Sequence, residues 1–418
     1  MTDAEVKQAR KPEENVASFQ ARARDWLAGN MPRLREGWNL IREDDDRASQ
    51  SRELQRRLWD GGFAGICYPR EYGGLGLPVE YQHAFDAVAQ GYQLPVIFST
   101  PTHSIIGPCL LDCASEAQKQ RYIPAFLRGD ELWVQFMSEP RGGSDMAGAT
   151  TRATRDGDVF VLNGSKIWST FAYRADFAIA LVRTNWDALK HRGLTMLIVP
   201  IHHPGITVRQ ITMVDGSVEF CQEFFDDAII GVENAVGAVN GGWTVASRLL
   251  FHERAAVGGS SPYLSVKNLH SGAPLEPFGQ LARRAGRMDD PDLAEFLGEE
   301  EVLSTVQQQL VERTAASART GQASEHAGTM PRLFTGVSLA QRATMALDLA
   351  GAEAAAWRPG RAGRDTGVDF VQRQARSIGG GTTEMARNII SERVMGMPRE
   401  PSPDREVPFS QVPRGKVQ

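Results

Sequence analysis

The chain has 418 residues, 42% of them hydrophobic and 23% charged, with a formal charge of −5 at neutral pH. That length is too great for one simple core and predicts two or three domains. The acidic balance argues against nucleic acid as the main partner, and no apolar run reaches the length of a membrane span.

Residues 1–15 are polar and lack an apolar core. They are expected to be disordered, and to be neither a secretory signal nor a transit peptide. Four cysteines without metal spacing point to a reducing cytoplasm and no metal site. Cys109 and Cys113 stand four apart in IIGPCLLDC, where two buried small residues are the better reading than half a metal site.

Residues 16–130 carry apolar positions at three- and four-residue spacings, such as Phe19, Trp26 and Leu27, with breaks at Pro32, Gly61–Gly62, Gly73–Gly76 and Pro108. They predict an α-helical domain. Residues 131–240 switch to short β-rich runs, among them FVLNGSKIW, FAIALVRT, LTMLIVP and ITVRQI, with Asp156-Gly157 and Asn163-Gly164 as turn dipeptides. Residues 241–398 are Ala-rich and predict long helices packed as a bundle. Residues 399–418, rich in proline and polar side chains, are expected to be a flexible tail.

The richest stretch runs FMSEPRGGSDMAGATTRA from Phe136, then GDVFVLNGSKIWST to Thr170. Backbone N–H groups and hydroxyls that approach without Cβ obstruction suit pyrophosphate, and Ser138, Gly142, Gly143 and Ser144 supply them. Trp168 and Thr170 offer an aromatic wall and a hydroxyl for a planar redox ring. The alternative is a Gly/Ser loop followed by a β-hairpin.

The segments SEPRGGSDMAG and NGSKIWST resemble the flavin-binding middle of the acyl-CoA dehydrogenase family. YPREYGGLGLP at Tyr68–Pro78, EFFDDAIIGVENAVGAVNGGWTVASRLLFHERA at Glu223–Ala255 and ARSIGGGTTEMARNIISERVMGMPR at Ala375–Arg399 resemble further parts of it, in order. The resemblance implies an α+β multidomain fold: an N-terminal α-helical domain, a middle β-barrel domain and a C-terminal four-helix bundle. It implies FAD as cofactor and an acyl-CoA as substrate. On this pattern Ser138 sits beside the pyrimidine end of the flavin, flanked by Gln135 and Met137. Gly143 and Ser144 line the turn against cofactor and thioester. Trp168 packs on the ring, and Thr170 reaches N5. Thr382 and Glu384 meet the phosphate and ribityl part, where a helix start favours an anion. Glu384 has a second reading, as a capping carboxylate on its own helix.

Two elements depart from the pattern. The stretch that usually reaches the adenosine end has no clear match in SSPYLSVKNLHSGAPLEPFGQLARRAGRMDD, and a later Gln-x-x-Gly-Gly element is replaced by LDLAG at Leu347–Gly351. Arg283, Arg284 and Arg287 are the candidates for the phosphates. The second departure concerns the base. Where many members have a glutamate, this chain has Gly380. A smaller branch, including the isovaleryl type, places the base in the first bundle helix before an arginine, and Glu253-Arg254 matches it. The expectation is therefore that Glu253 takes the α-proton and the Gly380 N–H serves the thioester oxygen. Phe251 and Arg254 would contact substrate, and His252 would be structural. For Glu253 the competing reading is a solvated helix carboxylate.

The implied reaction is α,β-dehydrogenation of an acyl-CoA, with electrons passed to an electron-transfer flavoprotein. A homodimer or homotetramer is expected, or a heterotetramer with a paralogue. The alternatives are a non-catalytic subunit of a mixed tetramer, or a flavin oxidase or N-hydroxylase on a carrier-bound substrate.

Overall fold

The structure is a computed structural model that describes residues 14–34, 45–257, 259–263, 277–321, 326–356 and 364–413. Helices α1 (Val16–Asn30), α2 (Asp45–Asp60), α3 (Val79–Ala89), α4 (Val96–Phe98), α5 (Gly107–Cys113) and α6 (Glu116–Arg128) form the first domain. Asn15 starts α1 by accepting the Ser18 N–H at 2.9 Å. Phe19, Ala23 and Leu27 repeat every four residues and are buried, with Phe19 edge-on to Phe63. Of the segment expected to be disordered, residues 1–13 lie outside the described residues, whereas Glu14 is ordered by its pair with Arg22.

Strands β1 (Trp133–Phe136), β2 (Arg152–Asp156), β3 (Val159–Thr170), β4 (Phe177–Arg183), β5 (Leu194–Pro200), β6 (Ile206–Ile211), β7 (Phe220–Gly231) and β8 (Ala235–Val236) make one eight-stranded sheet. Its order is β6-β7-β3-β2-β4-β5-β8, with β1 parallel to β4. Among the described residues no strand pairing joins β6 to β8, so barrel closure by hydrogen bonds is not seen. The turn expected at Asp156-Gly157 is present, with Asp156 paired to Val159 across it. Asn163-Gly164 is not a turn. It lies inside β3 as an irregularity, because Gly164 (φ +140°) presses on Thr151, whose Cα would stand 2.8 Å from an added Cβ.

Helices α7 (Gly242–Val257), α8 (Phe278–Arg284), α9 (Leu293–Arg319), α10 (Thr329–Ala350), α11 (Ala352–Ala355), α12 (Arg364–Gln372) and α13 (Thr383–Ile389) form the last domain. Helix α10 runs through its centre and packs on α7, α8, α9, α12 and α13. The start of α7 lies directly on β5, where a Cβ on Gly242 would come within 2.6 Å of the Thr195 backbone. The expected tail is corrected up to residue 413. Phe409 is 1% exposed and lies 3.6 Å from the Arg183 guanidinium, while Asp404 pairs with Lys190. A single aromatic with a buried cation to cover is enough to dock this proline-rich segment.

Candidate active site

Chain pairing gathers the predicted flavin residues. Beyond β1, the Ser138 carbonyl accepts the Ile167 N–H at 3.0 Å, which sets Ser138 beside the end of β3. Glu139 and Gly142 close a tight turn by exchanging backbone hydrogen bonds at 3.0 and 3.2 Å. That turn brings Gly143 back over Ser138, whose Oγ would lie 3.5 Å from a Cβ at Gly143. Strict alternation along β3 would bury Trp168 with Lys166. Instead the register shifts between Ile167 and Ser169, Trp168 takes φ +68°, and its side chain is turned out to 52% exposure. A left-handed bulky residue is strained, and a β-bulge re-aims a side chain. The result is an exposed aromatic beside a Gly-Gly turn and a serine, edge-on to Phe220 at 5.9 Å. This donor set and open ring face fit a flavin. Gln135 lies in β1 opposite Ile179, Met137 is buried, and Thr170 ends β3 opposite Phe220.

Beneath this surface lies a charged group that sequence reasoning missed. Lys166 and Glu139 are both buried and pair at 2.9 Å. Glu139 also accepts the Thr150 and Thr151 N–H groups at 2.7 and 2.8 Å, so it anchors both ends of the loop that carries Gly142, Gly143 and Ser144. Burial pushes its carboxyl up, but Lys166 and the loop donors outweigh this and hold it down at about 2. Glu223, on the neighbouring β7, accepts from Ser169 Oγ at 3.0 Å and has a buried second oxygen without a partner among the described residues. Desolvation raises its carboxyl to about 8.

The second predicted group forms on helices. Glu253 lies on α7, one turn after the buried Leu249, and is half-buried. Desolvation raises its pKa, opposed by the positive charges of Arg254 and Arg332. Val257, one turn further on the same face, lies 3.4 Å from where a Cβ on Gly380 would stand. Gly380 adopts φ +74°, a left-handed backbone that suits glycine. Glu253 and Gly380, distant in sequence, are thus brought into one group by Val257. Arg332 on α10 completes it and was missed. It is 2% exposed, and its Nη2 donates to the Gly379 carbonyl. No sequence signal marks it, since α10 carries a second arginine, Arg342, with Gln341 and Asp348.

The remaining residues divide. His252 is structural as expected, since its Nε2 meets Asp112 of α5 at 2.8 Å. Arg248 reaches the same carboxylate at 2.9 Å through its Nε. Phe251 stacks edge-on with His252, and Arg254 is half-buried on the same helix. Thr382 caps α13 by accepting the Met385 N–H at 3.1 Å. Glu384 is exposed, accepts from Thr383 Oγ1 at 3.2 Å and faces Arg387 at 3.9 Å. Among the described residues no hydrogen bond joins Thr382 or Glu384 to the Ser138–Trp168 group. Ser144 is exposed on the Gly-Gly turn. Arg287 is bonded to Asp290 at 2.6 Å and to the Leu349 carbonyl at 3.2 Å, while Arg283 and Arg284 are exposed. Cys109 is buried and Cys113 half-buried, and among the described residues no cluster suits a metal. No described helix is long and apolar enough to cross a membrane.

Three family profiles match in succession: the acyl-CoA dehydrogenase N-terminal domain over residues 13–130, the middle domain over 135–228 and the C-terminal domain over 240–395. Among curated proteins, the chain is 31% identical to acyl-CoA dehydrogenase IpdE1 of Mycobacterium tuberculosis, over 93% of this chain and 99% of that protein. It is 29% identical to acyl-CoA dehydrogenase FadE29 of the same organism, over 86% and 92%. Among solved structures, the Tcur3481-Tcur3483 steroid ACAD superposes with a TM-score of 0.74 at 25% identity, over 94% of this chain and 99% of that one. The chain is an FAD-dependent oxidoreductase that acts on acyl-CoA, and it belongs to the acyl-CoA dehydrogenase family.

Proposed function

We propose that the protein converts an acyl-CoA to its trans-2-enoyl-CoA, with Glu253 as the base. The flavin, when bound, supplies the acceptor for the hydride that leaves the β-carbon. Glu253 removes the α-proton, because desolvation raises its proton affinity towards that of a working base. Arg254 and Arg332 keep the anion accessible. The Gly380 N–H donates to the thioester oxygen as negative charge develops there. Ser138, Gly143, Ser144, Trp168 and Thr170 hold the flavin, with Gln135 and Met137 at its pyrimidine end and Thr382 and Glu384 towards the phosphates. Phe251 and Arg254 meet the CoA thioester. Electrons leave to an electron-transfer flavoprotein. The observation that carries this reading is that Val257, one turn after Glu253, and Arg332, whose charge acts on Glu253, both lie against Gly380.

The acyl group is proposed to be bulky, branched or cyclic. Gly379-Gly380-Gly381 puts no side chain where a glutamate commonly stands, and one structural neighbour is itself described as a steroid ACAD. A mixed assembly with a paralogue is the second reading. It is favoured by the adenosine end, where Arg287 is already committed, and by a neighbour described as the ChsE4-ChsE5 complex from Mycobacterium tuberculosis. Expression alone followed by a visible spectrum and anaerobic bleaching with a panel of acyl-CoAs tests both. A yellow protein bleached best by branched or cyclic thioesters is expected. A colourless protein that regains colour only with a paralogue would favour the mixed assembly.

A further inference from the structure

Arg332 is buried, yet its donors are incompletely used. Nη2 is committed to the Gly379 carbonyl. Nη1 lies against Gly336, where an added Cβ would approach to 2.7 Å. The Nε–H is buried and has no hydrogen-bond partner among the described residues. It faces the gap at Gly380, 3.4 Å from the point where a Cβ would sit. Leaving such a donor dry and unpaired is unfavourable, and in a cleft that binds substrate the missing acceptor is naturally the substrate's.

The acceptor is not the thioester oxygen. A trans peptide directs its C=O and N–H to opposite sides. Arg332 holds the Gly379 carbonyl, so the Gly380 N–H of that same peptide points away from the guanidinium. A thioester oxygen on the Gly380 N–H therefore stands on the far side of the peptide from Nε. A second oxygen is required.

Its type follows from what is left on the guanidinium. A carboxylate is best received by two parallel N–H groups, and Nη2 is already taken. Arg332 feels the field of Glu253, but no ion pair or hydrogen bond links them among the described residues, so Glu253 does not use the free donor. A carboxylate placed there would also be repelled by Glu253. One neutral oxygen suits the single N–H.

We propose that Arg332 is a specificity-determining residue whose Nε–H receives a ketone or hydroxyl oxygen of the acyl group, so that the preferred substrate is an oxygenated cyclic or branched acyl-CoA. This rests on Glu253 being the base of the same cleft.

The test uses the FAD-loaded enzyme and cyclohexanecarbonyl-CoA with its 3-oxo, 3-hydroxy, 4-oxo, 4-hydroxy and 3-carboxy derivatives. Binding is read from the flavin spectrum and from calorimetry, and turnover from anaerobic flavin reduction. At least one oxo or hydroxy compound should bind and react at least tenfold better than the plain ring, and the carboxylate should not. Arg332→Met keeps the length of the side chain but has no donor, so it should erase that preference, with the plain ring as the reference for whatever the variant costs through Gly379 and Glu253. Wild-type enzyme that does not discriminate overturns the proposal without any variant. So does an Arg332→Met enzyme that weakens all ligands equally, which would make Arg332 a support for Gly379 alone. Glu253→Gln separates the two readings. It should slow bleaching by every ligand about 10²–10⁴-fold and leave the Kd preference intact. Normal bleaching with an intact preference would remove the base assignment and leave the oxygen site standing.

Discussion

The flavin surface and the base cleft treat buried charge in opposite ways. Around Ser138–Trp168 the central pair is closed on itself: Lys166 pairs with Glu139, and Glu139 takes its remaining donors from Thr150 and Thr151, with only Glu223 beside them keeping a bare oxygen. In the cleft, Glu253 and Arg332 feel each other without pairing, and a guanidinium N–H is left bare. A satisfied network rigidifies and suits a surface that holds a cofactor permanently. An unsatisfied one reserves its interactions for a substrate that comes and goes.

That contrast can be broken from either side. The largest expected stability effect is at Lys166. Lys166→Met strands the Glu139 charge, and removing one partner of a buried pair costs about 3–5 kcal/mol. Denaturant melts should show that loss, and adding Glu139→Gln should restore part of it. If Lys166→Met is as stable as wild type, the closed network is not what holds the loop.

Glu223 should impose a pH dependence. Its carboxyl stands at about 8 in the folded chain, against 4.5 ordinarily. The folded state therefore binds the proton more tightly than the unfolded one. Its contribution is present in full below about 4.5 and is lost as pH rises through about 8. Stability should fall across that interval with a slope of about 1.4 kcal/mol per pH unit at most. Glu223→Gln should flatten the slope in melts taken across the same range, and an unchanged slope would assign it to another group.

Phe409 covers Arg183, which donates to the Ala147 carbonyl at 2.6 Å and so supports the flavin-side loop from below. Phe409→Ala should cost about 1.5–3 kcal/mol from lost burial and loosen flavin retention, read by ultrafiltration. Retention equal to wild type would detach the C-terminal segment from the site. At Trp168 the effects oppose each other. Trp168→Gly relieves a left-handed backbone by about 1–2 kcal/mol, so the apo-protein should melt no lower than wild type while its flavin affinity falls. Lower apo stability would contradict the strain.

The sequence was most informative where contacts are local. Ser138, Gly143 and Trp168 come together through one turn and one strand pair, and their types already suggested a flavin. The outward turn of Trp168 was hidden, because period-two alternation places it inward and only the bulge reverses it. Glu253 and Gly380 were found through family pattern, not periodicity. Arg332 was not, since the carbonyl it holds lies 47 residues further on and no local rule joins them. Asn163-Gly164 misled for the opposite reason: its turn chemistry was real, but pairing with β7 absorbed it into a strand. Phe409 was a lone aromatic in a proline-rich segment, and nothing in that segment reveals the buried arginine that it covers.

The central claim is that Glu253 is the proton acceptor, and anaerobic flavin reduction by a saturating acyl-CoA followed across pH tests it most directly. Because burial raises its pKa, the wild-type rate should fall as pH drops through a value above the usual glutamate range. Glu253→Gln should keep its flavin and lose about 10²–10⁴-fold in that rate at every pH. A Glu253→Gln enzyme that bleaches at the wild-type rate with the same pH profile would contradict the account.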